Sequence, residues 1–332
     1  MPETRKVQIT GGSTYIVSLP KEWVKQKNIE SGDPLVLSVR KDGSIVVSPE
    51  REYEKKANVR ELDVTNKDPN SLMRELIGTY ISGYTKIDLR AEGNIKPELR
   101  RVIMDFTRMV IGPEVIEESD TRVILKDLID PSEFSQKKGL RRMYLIVKKM
   151  YQNAITSFKE NQAGLPEEII NRDKDVDRLF WMITKHYNML LSNPRLIETL
   201  DITTEKSLSY MLVSRSLERI GDHGVRIAEN VIELENGFEG PIKEKIIEES
   251  DMALDILEKS VQAFFEEDLE GLNKAIEMRK DLLEKNDQLM SQIKQEKKEN
   301  VTPLSYIIES ISRTGSYATD ISEIGINYMM SR

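Results

Sequence analysis

Cysteine is absent from the 332 residues, and histidine occurs only twice. The first absence excludes a disulfide framework, thiolate metal sites and cysteine catalysis, and it suits a reducing compartment, so a cytoplasmic location is expected. The second leaves His186 and His223, neither with a glutamate three residues before it, so the paired Glu-x-x-His pattern of ferritin-like di-iron bundles is missing. Aromatics are scarce at 6% while charged residues reach 32%, a balance that suits amphipathic helices better than a β-sandwich. No apolar run is long enough to cross a bilayer, and the opening MPETRKVQIT has no apolar signal core, so a soluble protein is expected. Excess positive charge is missing too. The formal charge of −8 argues against indiscriminate coating of nucleic acid and leaves any DNA contact to a local surface. No Ser-His-Asp set, Gly-Lys-Thr phosphate loop or Rossmann fingerprint appears, and Gly11-Gly12-Ser13-Thr14 is too short and lacks the lysine. An enzyme is not expected.

What is present divides along the chain, whose length exceeds what one core usually organises. Residues 1–50 read as a β-rich module. Val7 to Ile9 and Tyr15 to Leu19 are strands around the Thr10-Gly11-Gly12-Ser13 turn, and Pro20 opens a short helix, Lys21 to Lys27. Pro34 to Val39 and Ser44 to Val47 form a hairpin around Asp42-Gly43. Residues 51–134 alternate strand and helix as a small α/β connector: strands at Arg60 to Val64 and Lys86 to Leu89, helices at Asn70 to Tyr84 and Lys96 to Val110, then two strands around Ser119-Asp120. From Ser135 the chain is long amphipathic helix in two sets of three, 135–235 and 236–332, with breakers at Gly164 to Pro166, Asn193-Pro194, Gly237 to Pro241, Gly271 and Thr302-Pro303. The fold class is therefore mainly α with a small β N-terminal domain. The third and sixth helices repeat a pattern, Leu217-Glu218-Arg219-Ile220-Gly221-Asp222-His223 against Ile311-Ser312-Arg313-Thr314-Gly315-Ser316-Tyr317, which points to an internal duplication.

Chemistry concentrates in the first set. Glu218 and Asp222 stand four apart on one helix face, and Asp173 and Asp177 repeat the spacing one helix earlier. Packed antiparallel, the two helices would present several hard oxygen ligands to one or two cations; solvated acidic faces with this spacing are common, and they are the alternative. Gly221, inside an otherwise good helix, costs about 1 kcal/mol relative to alanine, and close packing is the simplest reason for it. His223 adjoins the motif and is left outside the ligand set. Met143, Met150, Met182, Met189 and Met211, with Phe180 and Trp181, read as bundle core.

The run from Leu217 to His223, continued by Ile227-Ala228-Glu229, resembles the PhoU family closely. The resemblance implies tandem three-helix bundles from about residue 135, with Asp173, Asp177, Glu218 and Asp222 as metal ligands. It also implies a role in regulating phosphate uptake alongside a phosphate ABC transporter and a sensor kinase. The ion is open: iron and zinc have family precedent, while oxygen-only ligands also suit magnesium, calcium or manganese. Ser312 and Ser316 stand where Glu218 and Asp222 stand in the first bundle, so one site per chain is expected, although Asp281, Glu284, Asp287, Asp320 and Glu323 remain nearby in sequence. Residues 4–49, through Lys6-Val7-Gln8-Ile9 and Ser18-Leu19-Pro20-Lys21-Glu22-Trp23, resemble the AbrB/SpoVT swapped-hairpin DNA-binding family. That likeness implies a homodimer, with Arg5, Lys6, Lys21, Lys25 and Lys27 as DNA phosphate contacts. Three functions compete: a transcriptional regulator of phosphate uptake that binds promoter DNA, a signalling adaptor whose N-terminal module only dimerises, and a metal-dependent enzyme with water activated by the ion, for which no base or substrate pocket is recognisable.

Overall fold

The computed structural model describes residues 3–39, 43–50, 58–161, 165–234 and 237–331. The chain divides into two compact units, 1–58 and 59–332. In the first, β1 (Gln8–Thr10) pairs antiparallel with β2 (Thr14–Ile16), and β3 (Leu35–Val39) with β4 (Ile45–Pro49). Gly11, Gly12 and Gly43 take φ values of 60°, 83° and 80°, the left-handed conformation that tight hairpin turns require and glycine adopts without strain. Asp42 lies outside the described residues. Between the hairpins, α1 (Lys21–Gln26) follows Pro20 and buries none of its residues.

The second unit begins with a four-stranded sheet in the order β5-β6-β8-β7, formed by β5 (Val59–Asp63), β6 (Lys86–Arg90), β7 (Pro113–Glu118) and β8 (Arg122–Asp127). β5 and β6 run parallel because α2 (Pro69–Ile81) crosses between them; the other pairings are antiparallel. Asp68 caps α2 by accepting from the Ser71 amide at 2.8 Å, with Pro69 at the first helical position. Together with α3 (Pro97–Met109), α2 buries Leu72, Leu76, Tyr80, Leu99, Ile103 and Phe106 against one sheet face.

The helices follow as α4 (Gln136–Glu160), α5 (Leu165–Ser192), a short α6 (Pro194–Thr199), α7 (Thr204–Glu233), α8 (Pro241–Glu266), α9 (Leu269–Gln292) and α10 (Lys298–Met330). α4, α5 and α7 pack as one three-helix bundle and α8, α9 and α10 as another, with α7 against α10 at the seam. One continuous core runs through both, from Leu140 and Ile183 to Leu272 and Ile321. Several boundaries differ from expectation: β2 ends at Ile16 and not Leu19, α2 ends at Ile81 and not Tyr84, and two breaks in the helical region behave differently. α10 starts four residues before Thr302 and holds Pro303 inside it: Pro303 lies early in the helix, buried with Leu304, and packing outweighs the one lost backbone bond. The Asn193-Pro194 break carries the unforeseen α6, for which proline at the first position is well suited.

Candidate functional site

The heptad-like burial of α5 and α7 sets the site. On α5, Val176 and Leu179 turn into the core and leave Asp173 and Asp177 half-buried at its edge. On α7, buried Leu217, Ile220 and Gly221 flank Glu218, which is half-buried, while Asp222 stands exposed at the rim. The two acidic pairs meet. Burial first, then the charges of Asp177 and Asp222, push Asp173 up to about 6; burial, then Glu218 and Asp222, push Asp177 up to about 6. Glu218 and Asp222 are raised chiefly by burial, in Glu218 also by Asp222 and Asp173, while Arg215 and Arg219 pull the other way. The four carboxylates thus act on one another's charge across α5 and α7 as one acidic cluster.

Two oxygens of this quartet, Asp173 Oδ1 and Glu218 Oε2, are buried with no hydrogen-bond partner. Buried acceptors normally have one, so these oxygens fit a hard cation better than an apolar surface. Arg215 compensates in part, lying 3.5 Å from Glu218 while its guanidinium sits 5.3 Å from the centre of the Phe180 ring. Sequence reasoning missed this arginine, although its position three residues before Glu218 on a helix was the available signal. Among the described residues no three histidine, aspartate or glutamate side chains already form a coordinating cage, so an ion would have to draw the carboxylates inward. A β-carbon on Gly221 would lie 3.4 Å from Asp173 Oδ1, which places this glycine at the floor of the quartet.

His223 faces away from the quartet. Its ring lies 5.7 Å from that of Tyr317 on α10, and burial followed by the charge of Arg226 pushes its pKa down to about 4, so it stays neutral. The opposite side of α5 binds the α/β sheet. Lys185 forms a buried ion pair with Asp127 and lies over the Tyr80 ring at 4.6 Å, and Asn188 Nδ2 donates to the Ile81 carbonyl at 2.7 Å. Trp181 packs on the α/β core and Met189 abuts Gly83, so these two belong to the sheet contact and not to the bundle core expected for them. One helix therefore carries both half of the acidic quartet and the anchor of the sheet.

In the second bundle, Leu282 and Ile256 approach Gly315 as Val176 and Val147 approach Gly221. That register puts Arg279, Leu283, Ser312 and Ser316 in the places of Asp173, Asp177, Glu218 and Asp222. Among the described residues these four positions hold no carboxylate; Asp281, Glu284 and Asp287 are exposed, while Asp320 is half-buried and is raised by burial and by the charge of Glu323, with Arg279 pulling the other way.

Of the five basic residues expected at DNA, Arg5 pairs with Glu3, Lys6, Lys21 and Lys25 are exposed, and Lys27 is half-buried. Large apolar side chains on both hairpins are exposed as well: Ile9 by 63%, Tyr15 by 73%, Leu37 by 63% and Val39 by 72%.

The PhoU domain family matches residues 140–231 and 246–325, and the family described as antidote-toxin recognition MazE, bacterial antitoxin, matches residues 8–55, in keeping with the AbrB-like reading of that segment. A phosphate-specific transport system accessory protein PhoU homolog of Pseudomonas aeruginosa is 30% identical over 141 residues, 41% of this chain and 55% of the relative. A homolog of the same description from Deinococcus radiodurans is 35% identical over 94 residues, 28% of this chain and 41% of the relative. The chain thus spans about half the length of the curated relatives it matches. The crystal structure of PhoU from Pseudomonas aeruginosa superposes with a TM-score of 0.55 at 17% identity, over 60% of this chain and 98% of that one. The PhoU regulatory protein of the phosphate transport system from Streptococcus pneumoniae gives 0.53 at 21% identity, over 60% and 95%. Matched over just over half its length, in both helical repeats, this chain belongs to the PhoU family.

Proposed function

We propose that this protein regulates phosphate uptake at the level of transcription, binding promoter DNA as a homodimer through residues 1–50 and holding a metal ion between α5 and α7. The observation that carries the reading is the union in one chain of a PhoU domain with a module matching an antitoxin recognition family. The relatives are accessory proteins of phosphate-specific transport, which supports the physiological context. Exposed Ile9, Tyr15, Leu37 and Val39 support the dimer, because a second hairpin pair covers apolar strand faces and unpaired edges together. Dimerisation doubles Lys6, Lys21 and Lys25, so a module that is only mildly basic presents a two-fold set of phosphate contacts. No helix among the described residues is long and apolar enough to cross a membrane.

At the quartet, the four carboxylates supply oxygen donors and Arg215 limits their charge. A bound cation would supply the positive charge that removes their mutual repulsion. Because α5 also anchors the sheet through Lys185 and Asn188, any shift of α5 toward α7 acts directly on that anchor. A second reading, favoured by the accessory role of the relatives, makes the protein an adaptor for a phosphate transporter or sensor kinase with the hairpins serving only to dimerise.

The test is DNA binding by the full chain and its Lys21→Glu/Lys25→Glu variant, on its own upstream region and on phosphate-transporter promoters at two salt concentrations, beside metal analysis of the protein and of Asp173→Asn/Asp177→Asn. Selective binding to one promoter, with a salt slope reduced by roughly four charges per variant dimer, supports the regulator. A dimer that discriminates no promoter overturns the regulator reading and puts the adaptor reading first. Metal retained by the double asparagine variant removes the quartet from consideration.

A further inference from the structure

α4 carries seven basic residues against a single acidic one, Glu160, in a chain whose net charge is −8. Some of these cations are used internally. Lys148 pairs with Glu258 of α8 at 2.8 Å, Arg141 lies over the Phe265 ring at 5.0 Å, and Lys138 Nζ donates to the Glu133 carbonyl at 3.1 Å. Arg142 and Lys149 have no acidic partner among the described residues, and both are exposed. They stand two helical turns apart on one face with Leu145 between them, and Leu145 is 63% exposed. Beside this row runs a groove of about 270 Å³ between α4 and α5, floored by Ile146, Met150 and Ile169, with Arg172 on its far wall. Arg172 is held by Glu168 at 3.8 Å, so Arg142 and Lys149 are the uncompensated charges of the groove.

We propose that this groove is a docking site for an acidic, amphipathic helical segment of another protein. Two cations flanking an apolar strip match a helix whose leucine-type residues enter the groove and whose carboxylates, about 10 Å apart along its axis, meet Arg142 and Lys149. The floor is recessed and aliphatic, which neither the headgroups of a bilayer surface nor a sugar-phosphate backbone fills. Charge of the opposite sign speeds encounter, and Leu145 with the floor supplies the buried centre that a short segment needs. The inference stands apart from the DNA and metal readings above.

The experiment pans a displayed library of 16-residue helical peptides against the full-length protein and counter-pans it against the Arg142→Glu/Lys149→Glu variant. Enriched peptides are then measured by fluorescence anisotropy with the wild type, that variant and Leu145→Asp. All three substituted side chains are exposed, and circular dichroism confirms that the variants fold. The expected result is enrichment of net-negative sequences with an apolar stripe, whose affinity falls at least tenfold in either variant. A scrambled peptide of the same composition also loses at least tenfold. The proposal is overturned if no sequence survives counter-selection, if scrambled and ordered peptides bind alike, or if the enriched peptides ignore Leu145→Asp. Co-sedimentation with phosphatidylserine vesicles that depends on Arg142 and Lys149, with no peptide enriched, overturns it in favour of a lipid surface.

Discussion

Gly221→Ala separates the two reasons a helix can carry glycine at the quartet. Alanine is better than glycine in a helix interior by about 1 kcal/mol. At Gly221 the new methyl would meet Asp173 Oδ1 at 3.4 Å, Val176 Cγ1 at 3.5 Å and Val147 Cγ2 at 3.8 Å, ordinary van der Waals distances that require no displacement. The variant should therefore be more stable than wild type by up to about 1 kcal/mol when metal is absent. At the matching position Gly315→Ala drives the methyl into the side chain of fully buried Leu282, and overpacking of this kind costs about 1–3 kcal/mol, so this variant should be destabilised. The assay is denaturant unfolding followed by helical circular dichroism on wild type and both variants in chelator, repeated with added manganese or zinc. In chelator the order of midpoints should be Gly221→Ala, wild type, Gly315→Ala. Added metal should raise the midpoint of Gly221→Ala less than that of wild type, because the methyl covers the orphaned Asp173 oxygen. If Gly221→Ala loses as much stability as Gly315→Ala, packing alone demands the glycine, and its position under the quartet has no functional meaning.

Glu249, fully buried on α8 with one oxygen accepting from Asn286 Nδ2 at 2.9 Å, is pushed up to about 8 by burial. An unfolded glutamate releases its proton near 4.3, so folding takes up a proton between that value and about 8 and stability falls as pH rises through this window; Glu249→Gln should flatten the loss in a pH series of unfolding midpoints. Asp88 on β6 has the opposite sign: hydrogen bonds from Arg122, at 2.8 Å and 2.7 Å, and from Arg90, at 2.7 Å, hold it well below the usual carboxylate range despite its burial. Its contribution is present above about pH 4 and is lost as pH falls below that, and Asp88→Asn should cost about 2 kcal/mol at neutral pH, an effect that disappears in acid. Lys185→Met leaves Asp127 buried without its cation and should cost about 3–5 kcal/mol, with amide exchange rising first where α5 meets the sheet. An unchanged midpoint would mean that the pair adds nothing to the docking of the sheet on α5.

The six long helices and the two carboxylate pairs, Asp173 with Asp177 and Glu218 with Asp222, were legible because they rest on local rules, whereas the meeting of the pairs waited on how the helices pack. A period near 3.6 marks the buried stripe, and a spacing of four puts two carboxylates on one face whatever the helix packs against. The same locality explains the hairpin glycines, where the turn itself needs a positive φ. Errors arose where non-local contacts decide. Thr302-Pro303 reads as the break from which the last helix starts, yet the helix begins at Lys298 and burial of Leu304 and its neighbours holds it through Pro303. Trp181 and Met189 fit the helical stripe of α5, but that helix has two buried faces, and only the tertiary structure says which residues turn to the sheet and which to the bundle. Register between the repeats is of the same kind: the exchange of Glu218 and Asp222 for Ser312 and Ser316 is visible along the chain, whereas Arg279 and Leu283 take the other two places only through the packing of Leu282 against Gly315. The sequence by itself determined the helical periodicity, the family motif and the candidate ligands, since each depends on residues within a few turns of one another. The tertiary structure decided which oxygens lack partners, which arginine tempers them and which cations of α4 remain unpaired, because burial and pairing are properties of surfaces that distant segments make together.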